Sequence, residues 1–328
     1  MKKQKTYGQS GVQGFFGNTS LIEYGYQMFY KFLPGYNFDG LNFVSKTATL
    51  KARKGNTKLK KDGFRIKSFY PRSIWVSLKS FWYGYMLNAI GLSNPGLEFM
   101  LKYDEWQKRS YEYFHISIQI ESEKWQDIEY EINEICRLLN HYLPPSEYNY
   151  DIQMNDSCPN TEHGIGIDEA KVTETQKKLE LFQKLMPTTG VFVKYNALIE
   201  TQVLQRLKTY CKGYVISNTI PFGDKSSWID WNRWFKDGKS PLPQRLGKPF
   251  EGGLSGKIMF PVLLHKIESI QLADAGMHII AGGGIMSKKQ VDILSDYSVV
   301  KGIALGTVAL LRPWRLSSLI NYTNKTIK

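Results

Sequence analysis

The sequence predicts an α/β protein with the architecture of a (β/α)8 TIM barrel. First, strand-like runs alternate with helical runs along most of the chain. Such alternation implies parallel pairing, because each crossover must carry the chain back to the edge it started from. Second, a length of 328 residues suits one large domain of this kind, with ample chain to bury a core. Third, no Gly/Ser linker, low-complexity stretch or repeat divides the chain, so a single domain is expected over 1–328. A doubly wound sheet shows the same alternation; the length and the number of units favour the closed ring.

Residues 1–40 read as an irregular N-terminal segment, with the early strands expected inside the first hundred residues. Residues 114–120 alternate apolar and polar side chains, the period-two mark of a strand. Trp125, Ile128, Ile132, Ile135, Leu139 and Tyr142 then recur at helical spacing until Pro144 and Pro145 stop the run. A strand over 148–154 enters a loop at Asn155, and a helix over 173–185 is bounded by Pro187 and Gly190. Next come a strand at 191–195, a helix at 200–210 and a strand at 213–217. The stretch 221–253 interrupts the rhythm and carries Trp228, Trp231 and Trp234. A packed irregular loop is expected there, with a lid or partner surface as the alternative. The rhythm resumes with a helix at 260–275, strand 278–281, helix 288–294, strand 301–305 and a helix from Gly306.

The formal charge is +13. Such a balance suits a nucleic-acid, anionic-membrane or acidic-ligand partner, but composition alone favours solvated surface lysines. One cluster runs Lys46, Lys51, Arg53, Lys54, Lys58, Lys60, Lys61, Arg65, Lys67 and Arg72, opposed by Asp62 alone. No apolar run approaches bilayer length, and the basic start has no apolar core behind it, so neither a membrane span nor a secretory signal is expected. Cys136, Cys158 and Cys211 form no Cys-x-x-Cys pair, which points to a reducing, cytoplasmic setting. The histidines and cysteines show no metal-ligand spacing, and no metal is expected.

Ligands of parallel α/β proteins meet the C-terminal strand ends. There the chain places Gly252 to Gly256, Gly282 to Gly284, and Gly306 with Thr307, each before a helix. Any one is an ordinary turn; three in successive late units point to backbone N–H groups cradling a phosphate. Cys136 reads as a small buried hydrophobe on its helix. Cys158 instead sits in a polar loop between Ser157 and Pro159, flanked by Asn155 and Asn160. Those amides suit an amide or imide ligand, and the thiol could be a nucleophile or a proton-transfer group. No histidine stands at a triad-like position, and His163 reads as a solvated loop residue. Lys46 and Lys194 close strand-like runs and could neutralise an anionic ligand, or simply snorkel to the surface.

These same residues carry a family resemblance. Asn155-x-Ser-Cys-Pro-Asn160, Asn88-Ala-Ile-Gly-Leu-Ser-Asn-Pro-Gly96, Gly252-Gly-Leu-Ser-Gly256, Gly282-Gly-Gly-Ile285 and Ser45-Lys-Thr-Ala-Thr49, with Arg53-Lys-Gly-Asn56 after it, together resemble the dihydroorotate dehydrogenase family. The resemblance is collinear from about Leu41 to about Leu311. It implies an FMN-binding barrel that oxidises dihydroorotate to orotate in pyrimidine biosynthesis. The FMN phosphate would lie against Gly256, Gly283, Gly284, Gly306 and Thr307; Lys194 would approach the flavin ring, with Lys46, Thr47, Asn155 and Ser217 beside it. Substrate would be held by Lys46, Asn88, Gly91, Leu92, Asn155, Asn160, Asn218 and Thr219. Cys158 matches the base that takes the C5 proton while the C6 hydride passes to flavin.

Cysteine at that position resembles the soluble class of the family, so no membrane or nucleic-acid partner is expected, and a homodimer is. The acceptor implied is fumarate, or NAD through an iron–sulfur partner subunit; this chain has no cysteine cluster for such a centre. Two departures stand out. Residues 17–36 lack the small Ala-Ser-Gly turn that the family places near the flavin, and Asp156 would oppose a Cys158 thiolate if it pointed inward. Competing readings are a relative acting on another dihydropyrimidine, a dihydrouridine synthase acting on tRNA, and a non-catalytic flavin-binding paralogue.

Overall fold

The computed structural model describes residues 4–17, 27–156, 169–224 and 227–328. Strands form among them in chain order as β1 (Thr6–Gly8), β2 (Leu41–Val44), β3 (Ile74–Trp75), β4 (Tyr85–Asn88), β5 (Tyr113–Ile118), β6 (Asn149–Asn155), β7 (Val191–Asn196), β8 (Gly213–Asn218), β9 (Ile220–Pro221), β10 (Gly253–Gly256), β11 (Ile279–Gly282) and β12 (Val300–Leu305). Eight of them close a barrel in the order β1-β12-β11-β8-β7-β6-β5-β2, which decides between ring and open sheet. Every adjacent pair is parallel, and β1 completes the ring by pairing Gly8 with Leu305 on one side and Thr6 with Leu41 on the other.

The barrel's first strand therefore lies inside 1–40, the stretch expected to be irregular. Three residues are too few to show a period, and β1 is held from outside its own sequence. The Asn324 side-chain oxygen accepts from the Lys5 and Thr6 amides at 2.7 and 3.0 Å, while its amide group donates to the Gly40 carbonyl at 2.6 Å. The helices elsewhere follow the spacing. On Trp125–Tyr142, the residues Ile128, Ile132, Ile135 and Leu139 are buried, and the run ends at Leu143 ahead of Pro144.

Alternation along the strands divides the core in two. Val191, Val193 and Tyr195 of β7 face the helices, whereas Phe192 joins Tyr7, Val44, Val215, Ile280 and Ala304 inside the ring. At the floor of the ring, Asp151 takes the Lys212 ammonium at 2.6 Å, the Gly190 amide at 2.9 Å and the Tyr113 hydroxyl. The Tyr113 hydroxyl lies 2.8 Å from Nε2 of the fully buried His115. A barrel floor can hold such charges because each has a partner there.

A second, antiparallel sheet of order β3-β4-β10-β9 sits apart from the ring, with Asn88 opposite both Ile74 and Gly253. The described residues of 221–253 pack on it and include short helices at Trp231–Trp234 and Leu242–Leu246, where an irregular loop is expected. Phe222, Phe235 and Leu242 are buried, and ring centroids lie 4.5 Å apart for Phe222 and Trp231, 5.3 Å for Tyr85 and Trp234, and 5.5 Å for Trp75 and Phe235. The aromatics that interrupt the rhythm are thus the core of a cap. Trp228 is the exception, 44% exposed and tilted against His265.

The basic cluster does not form one patch. Lys46 is buried, Arg53 pairs with Glu121, and Arg65 pairs with Asp62 at 2.5 Å. Lys54, Lys58, Lys67 and Arg72 instead line a surface groove together with Lys248.

Candidate active site

A cavity opens at the C-terminal ends of the barrel strands, where the cap sheet approaches. Its wall takes Lys46 and Thr47 after β2, Asn155 from β6, Lys194 from β7, and Ser217, Asn218 and Thr219 at the end of β8. The cap contributes Asn88, Gly91, Leu92 and Gly256, and the last two ring strands contribute Gly283, Gly284, Gly306 and Thr307. Every predicted site residue among the described ones therefore lines this one cavity. Cys158 and Asn160, with the neighbouring His163, lie outside the described residues.

Register explains the convergence. Asn155 stands beside Lys194 across the β6–β7 ladder, and Asn196 beside Asn218 across β7–β8, so strand ends bring together residues dozens of positions apart. The amides then fix one another. The Asn155 amide donates to the Gln119 side-chain oxygen at 2.8 Å and accepts from the Asn218 amide at 3.1 Å; Asn218 in turn accepts from the Thr219 backbone at 3.2 Å. A primary amide carries two donor hydrogens, so Asn155 commits one to Gln119 and keeps another to offer a ligand. The Thr219 hydroxyl, also in the wall, is buried with no partner among the described residues.

Charge in the wall is one-sided. Lys46 and Lys194 are its only ionisable side chains among the described residues, and both are buried. The Lys46 ammonium donates to the Ser93 carbonyl and lies 4.4 Å from the Phe15 ring centroid. Two buried lysines in one wall suit an anionic ligand.

The glycines have a steric reason to be glycine. Gly256 and Gly284 have φ of +111° and +79°, and a Cβ on Gly284 would come within 2.6 Å of the Gly256 carbonyl. The turns after β10 and β11 thus touch backbone to backbone. One expectation changes here: Gly252 to Gly256 do not end a ring strand but form β10 of the cap, antiparallel to β4. Close by, Leu92 holds φ at +58°, uncommon for a bulky side chain and of a kind found where a site over-determines the backbone.

A small-residue turn lines the cavity at Gln9, Ser10 and Gly11, directly after β1; within the segment 17–36, residues 18–26 lie outside the described ones. Ser10 donates to the Ser45 carbonyl at 2.9 Å and meets the Thr47 hydroxyl at 2.9 Å. The turn escapes a search keyed to the missing strand; Gly8 to Gly11, with two glycines and a serine, is the signal that could have found it. Asp156 points away from the mouth. Its carboxylate accepts from Thr175 at 2.7 Å and Tyr195 at 3.3 Å, and lies 3.7 Å from the buried Lys178 ammonium.

The other cysteines are spent on packing: burial pushes the Cys136 thiol up to about 12 and the Cys211 thiol up to about 11. No group of residues able to hold a metal ion occurs among the described residues.

The sequence profile of the family described as "Dihydroorotate dehydrogenase" matches residues 35–295. Among curated proteins, the "Dihydroorotate dehydrogenase B (NAD(+)), catalytic subunit" of Staphylococcus carnosus (strain TM300) is 27% identical over 249 residues, covering 72% of this chain and 70% of that protein. The proteins of the same name from Geobacillus sp. (strain WCH70) and Bacillus cereus (strain B4264) are 28% and 26% identical, over 242 and 249 residues. Each of these two alignments covers 72% of this chain, with 69% of the Geobacillus protein and 70% of the Bacillus protein.

Proposed function

Because the chain belongs to the dihydroorotate dehydrogenase family, we propose that its cavity oxidises dihydroorotate to orotate with FMN bound and Cys158 as the base. The observation that carries this reading is the meeting, in one cavity, of two buried lysines, a linked set of asparagine amides and the glycine turns.

The residues present fit FMN. Gly256, Gly283, Gly284, Gly306 and Thr307 would hold its phosphate, since Thr307 begins a helix whose first N–H groups have no intrahelical acceptor. A Cβ on Gly283 would find nothing nearer than Met259 at 3.7 Å, so room remains on that side of the turn. Lys194 would supply positive charge near the ring, and the unpartnered Thr219 hydroxyl a further polar contact. FMN, when bound, supplies the acceptor for the hydride that leaves C6.

The chain's own residues supply position and the base that accepts the proton. Asn88, Asn155, Asn160 and Asn218 would hold the ring amides, with Gly91 and Leu92 against its edge, and Lys46 would complement the substrate carboxylate. As C5 gives up its proton, charge spreads onto the ring carbonyl, and amide hydrogens already oriented by Gln119 and Asn155 stabilise it without reorganising. A free thiol has a pKa of about 8.5 and must be lowered, or relayed, to serve as base near neutrality. The buried Lys178 draws the Asp156 carboxylate toward the helix Glu169–Leu185, and so removes the nearest expected opposition.

The relatives' names carry NAD(+) and the words catalytic subunit, which supports electron transfer to NAD through a second subunit rather than to fumarate. No helix among the described residues is long and apolar enough to cross a membrane. A homodimer in the cytoplasm is part of the same reading.

The test is an anaerobic absorbance spectrum before and after dihydroorotate is added. Flavin bands should bleach, and Cys158→Ala should slow the bleaching by about 10²-fold or more. Flavin that stays oxidised sinks the substrate; a chain that takes up no FMN sinks the enzyme.

A further inference from the structure

Between β2 and β3 the chain doubles back as a hairpin. The Lys67 amide donates to the Lys58 carbonyl at 2.9 Å, the Lys60 amide donates to the Arg65 carbonyl at 2.7 Å, and Leu59 stands opposite Ile66. Lys58 therefore faces Lys67 across the hairpin, although like charges in opposite positions repel. The hairpin lines a groove of about 830 Å³ together with Leu246 and Lys248. Arg245 holds the two sides together, donating to the Pro71 and Arg72 carbonyls at 3.3 Å each. Leu59, Ile66, Pro71 and Leu246 make the apolar lining, and Arg53, Lys54, Lys58, Lys67, Arg72 and Lys248 bring six cations to it.

Two of these cations are tied and four are not. Arg53 pairs with Glu121, and Lys248 donates to Asn56 Oδ1 at 3.3 Å. Lys54, Lys58, Lys67 and Arg72 are exposed, and their side chains have no hydrogen-bond or ion-pair partner among the described residues. The tied pair leads to the active-site cavity. Arg53 Nε donates to the Gly91 carbonyl at 3.2 Å, and Asn56 donates to the Ile90 carbonyl from its backbone at 2.9 Å and to the Ala89 carbonyl from its side chain at 3.0 Å. The Thr57 amide donates to Ser93 Oγ at 2.9 Å, and the Ser93 carbonyl takes the buried Lys46 ammonium. The two segments leave no slack, since a Cβ on Gly55 would come within 2.6 Å of the Gly91 carbonyl. Ile90, Gly91, Leu92 and Lys46 line the cavity, so one wall of two bonded segments serves both spaces.

We propose that the groove binds a nucleoside triphosphate and that its occupancy is felt in the cavity. Unpartnered cations converging on one groove recognise a polyanion, and an anion between Lys58 and Lys67 turns their repulsion into attraction. The apolar lining suits a base and sugar, which a bare phosphate chain lacks. The volume is that of one small ligand, whereas a nucleic-acid strand needs a continuous track. The triphosphate also competes for Arg53 and Lys248. Drawn toward it, Arg53 leaves the Gly91 carbonyl and Lys248 leaves Asn56, which loosens the wall that carries Gly91 and Leu92. Substrate then binds less tightly, because the two states of the wall differ in their contacts with both ligands. The coupling, measured with dihydroorotate, rests on the function proposed above; binding in the groove does not.

Isothermal titration calorimetry of the flavin-loaded full chain with ATP tests the site. ATP is expected to bind more tightly than inorganic tripolyphosphate, adenosine not to bind, and ATP binding to weaken as salt rises. Lys58→Glu with Lys67→Glu should weaken ATP binding about tenfold or more, with turnover in the absence of ATP unchanged. Both side chains are exposed, so the variant should fold as the native chain does. Saturating ATP should raise the KM for dihydroorotate about fivefold or more in the native protein, not in the double variant, with kcat held. No heat with ATP, equal binding by the double variant, or tighter binding of a single-stranded RNA oligonucleotide than of ATP overturns the site. ATP binding that leaves KM unchanged overturns the coupling. ATP binding without any turnover of dihydroorotate upholds the groove and sinks the substrate instead.

Discussion

His115 is wholly buried on β5, with its ring 5.0 Å from that of Phe192. Burial pulls its pKa from 6.5 down to about 4, against the attraction of Asp151 and helped by the Lys212 charge. The folded protein keeps the imidazole neutral, while the unfolded chain takes up a proton below 6.5. The unfolded state therefore binds more protons between pH 6.5 and about 4, and stability must fall as pH drops through that window. The full loss amounts to about 3 kcal/mol. Urea midpoints measured from pH 7 downward should show it, and His115→Gln should flatten the slope. Cysteine makes a second residue-scale prediction. With Cys136 and Cys211 held protonated by burial, iodoacetamide near neutrality should inactivate the protein through Cys158. Cys158→Ala should take up no label on that timescale; rapid labelling of the variant would show that another thiol reacts.

At the scale of elements, the turns after β10 and β11 depend on each other. Gly284→Ala would press a Cβ against the Gly256 carbonyl and the Phe260 amide at 2.6 and 2.8 Å, at a φ of +79°. A cost of about 1–3 kcal/mol is expected, with flavin lost on gel filtration, because the strain falls on the turn proposed to hold the phosphate. The cap answers to its aromatic core in the same way. Phe235→Ala should cost about 3–5 kcal/mol, read by thermal unfolding. Because Phe235 packs on Tyr85 of β4, which also carries Asn88, the KM for substrate should rise with it. Elements also show what was legible. The long helix Trp125–Tyr142 announces itself through repeated spacing. The cap sheet does not, because two of its strands have two residues each and its four strands come from positions as far apart as 74 and 256. Asp156 was legible in principle: a strand that turns Asn155 into the mouth must turn its neighbour outward.

The whole molecule shows why the cavity could be read and the groove could not. Parallel strands deliver their C-terminal ends to one place, so Lys46, Asn155, Lys194 and Asn218 needed only their strand positions to be placed together. No such rule says which members of a basic run share a face. The net charge of +13 and the cluster from Lys46 to Arg72 read as solvated lysines until Lys58, Lys67 and Lys248 are found lining one groove. Exposure of Trp82 and Phe32 is likewise a property of the assembled surface.

The closing seam of the ring joins β1 to β12, the last strand to be made. On the ribosome, Thr6 waits for both Ile303 and Asn324, so most of the chain is synthesised before its first strand has a second neighbour. Arg312, which donates to the Phe81 and Trp82 carbonyls, arrives equally late. Order of synthesis thus places closure of the ring after all eight of its strands exist, and the first strand made is among the last to be fixed.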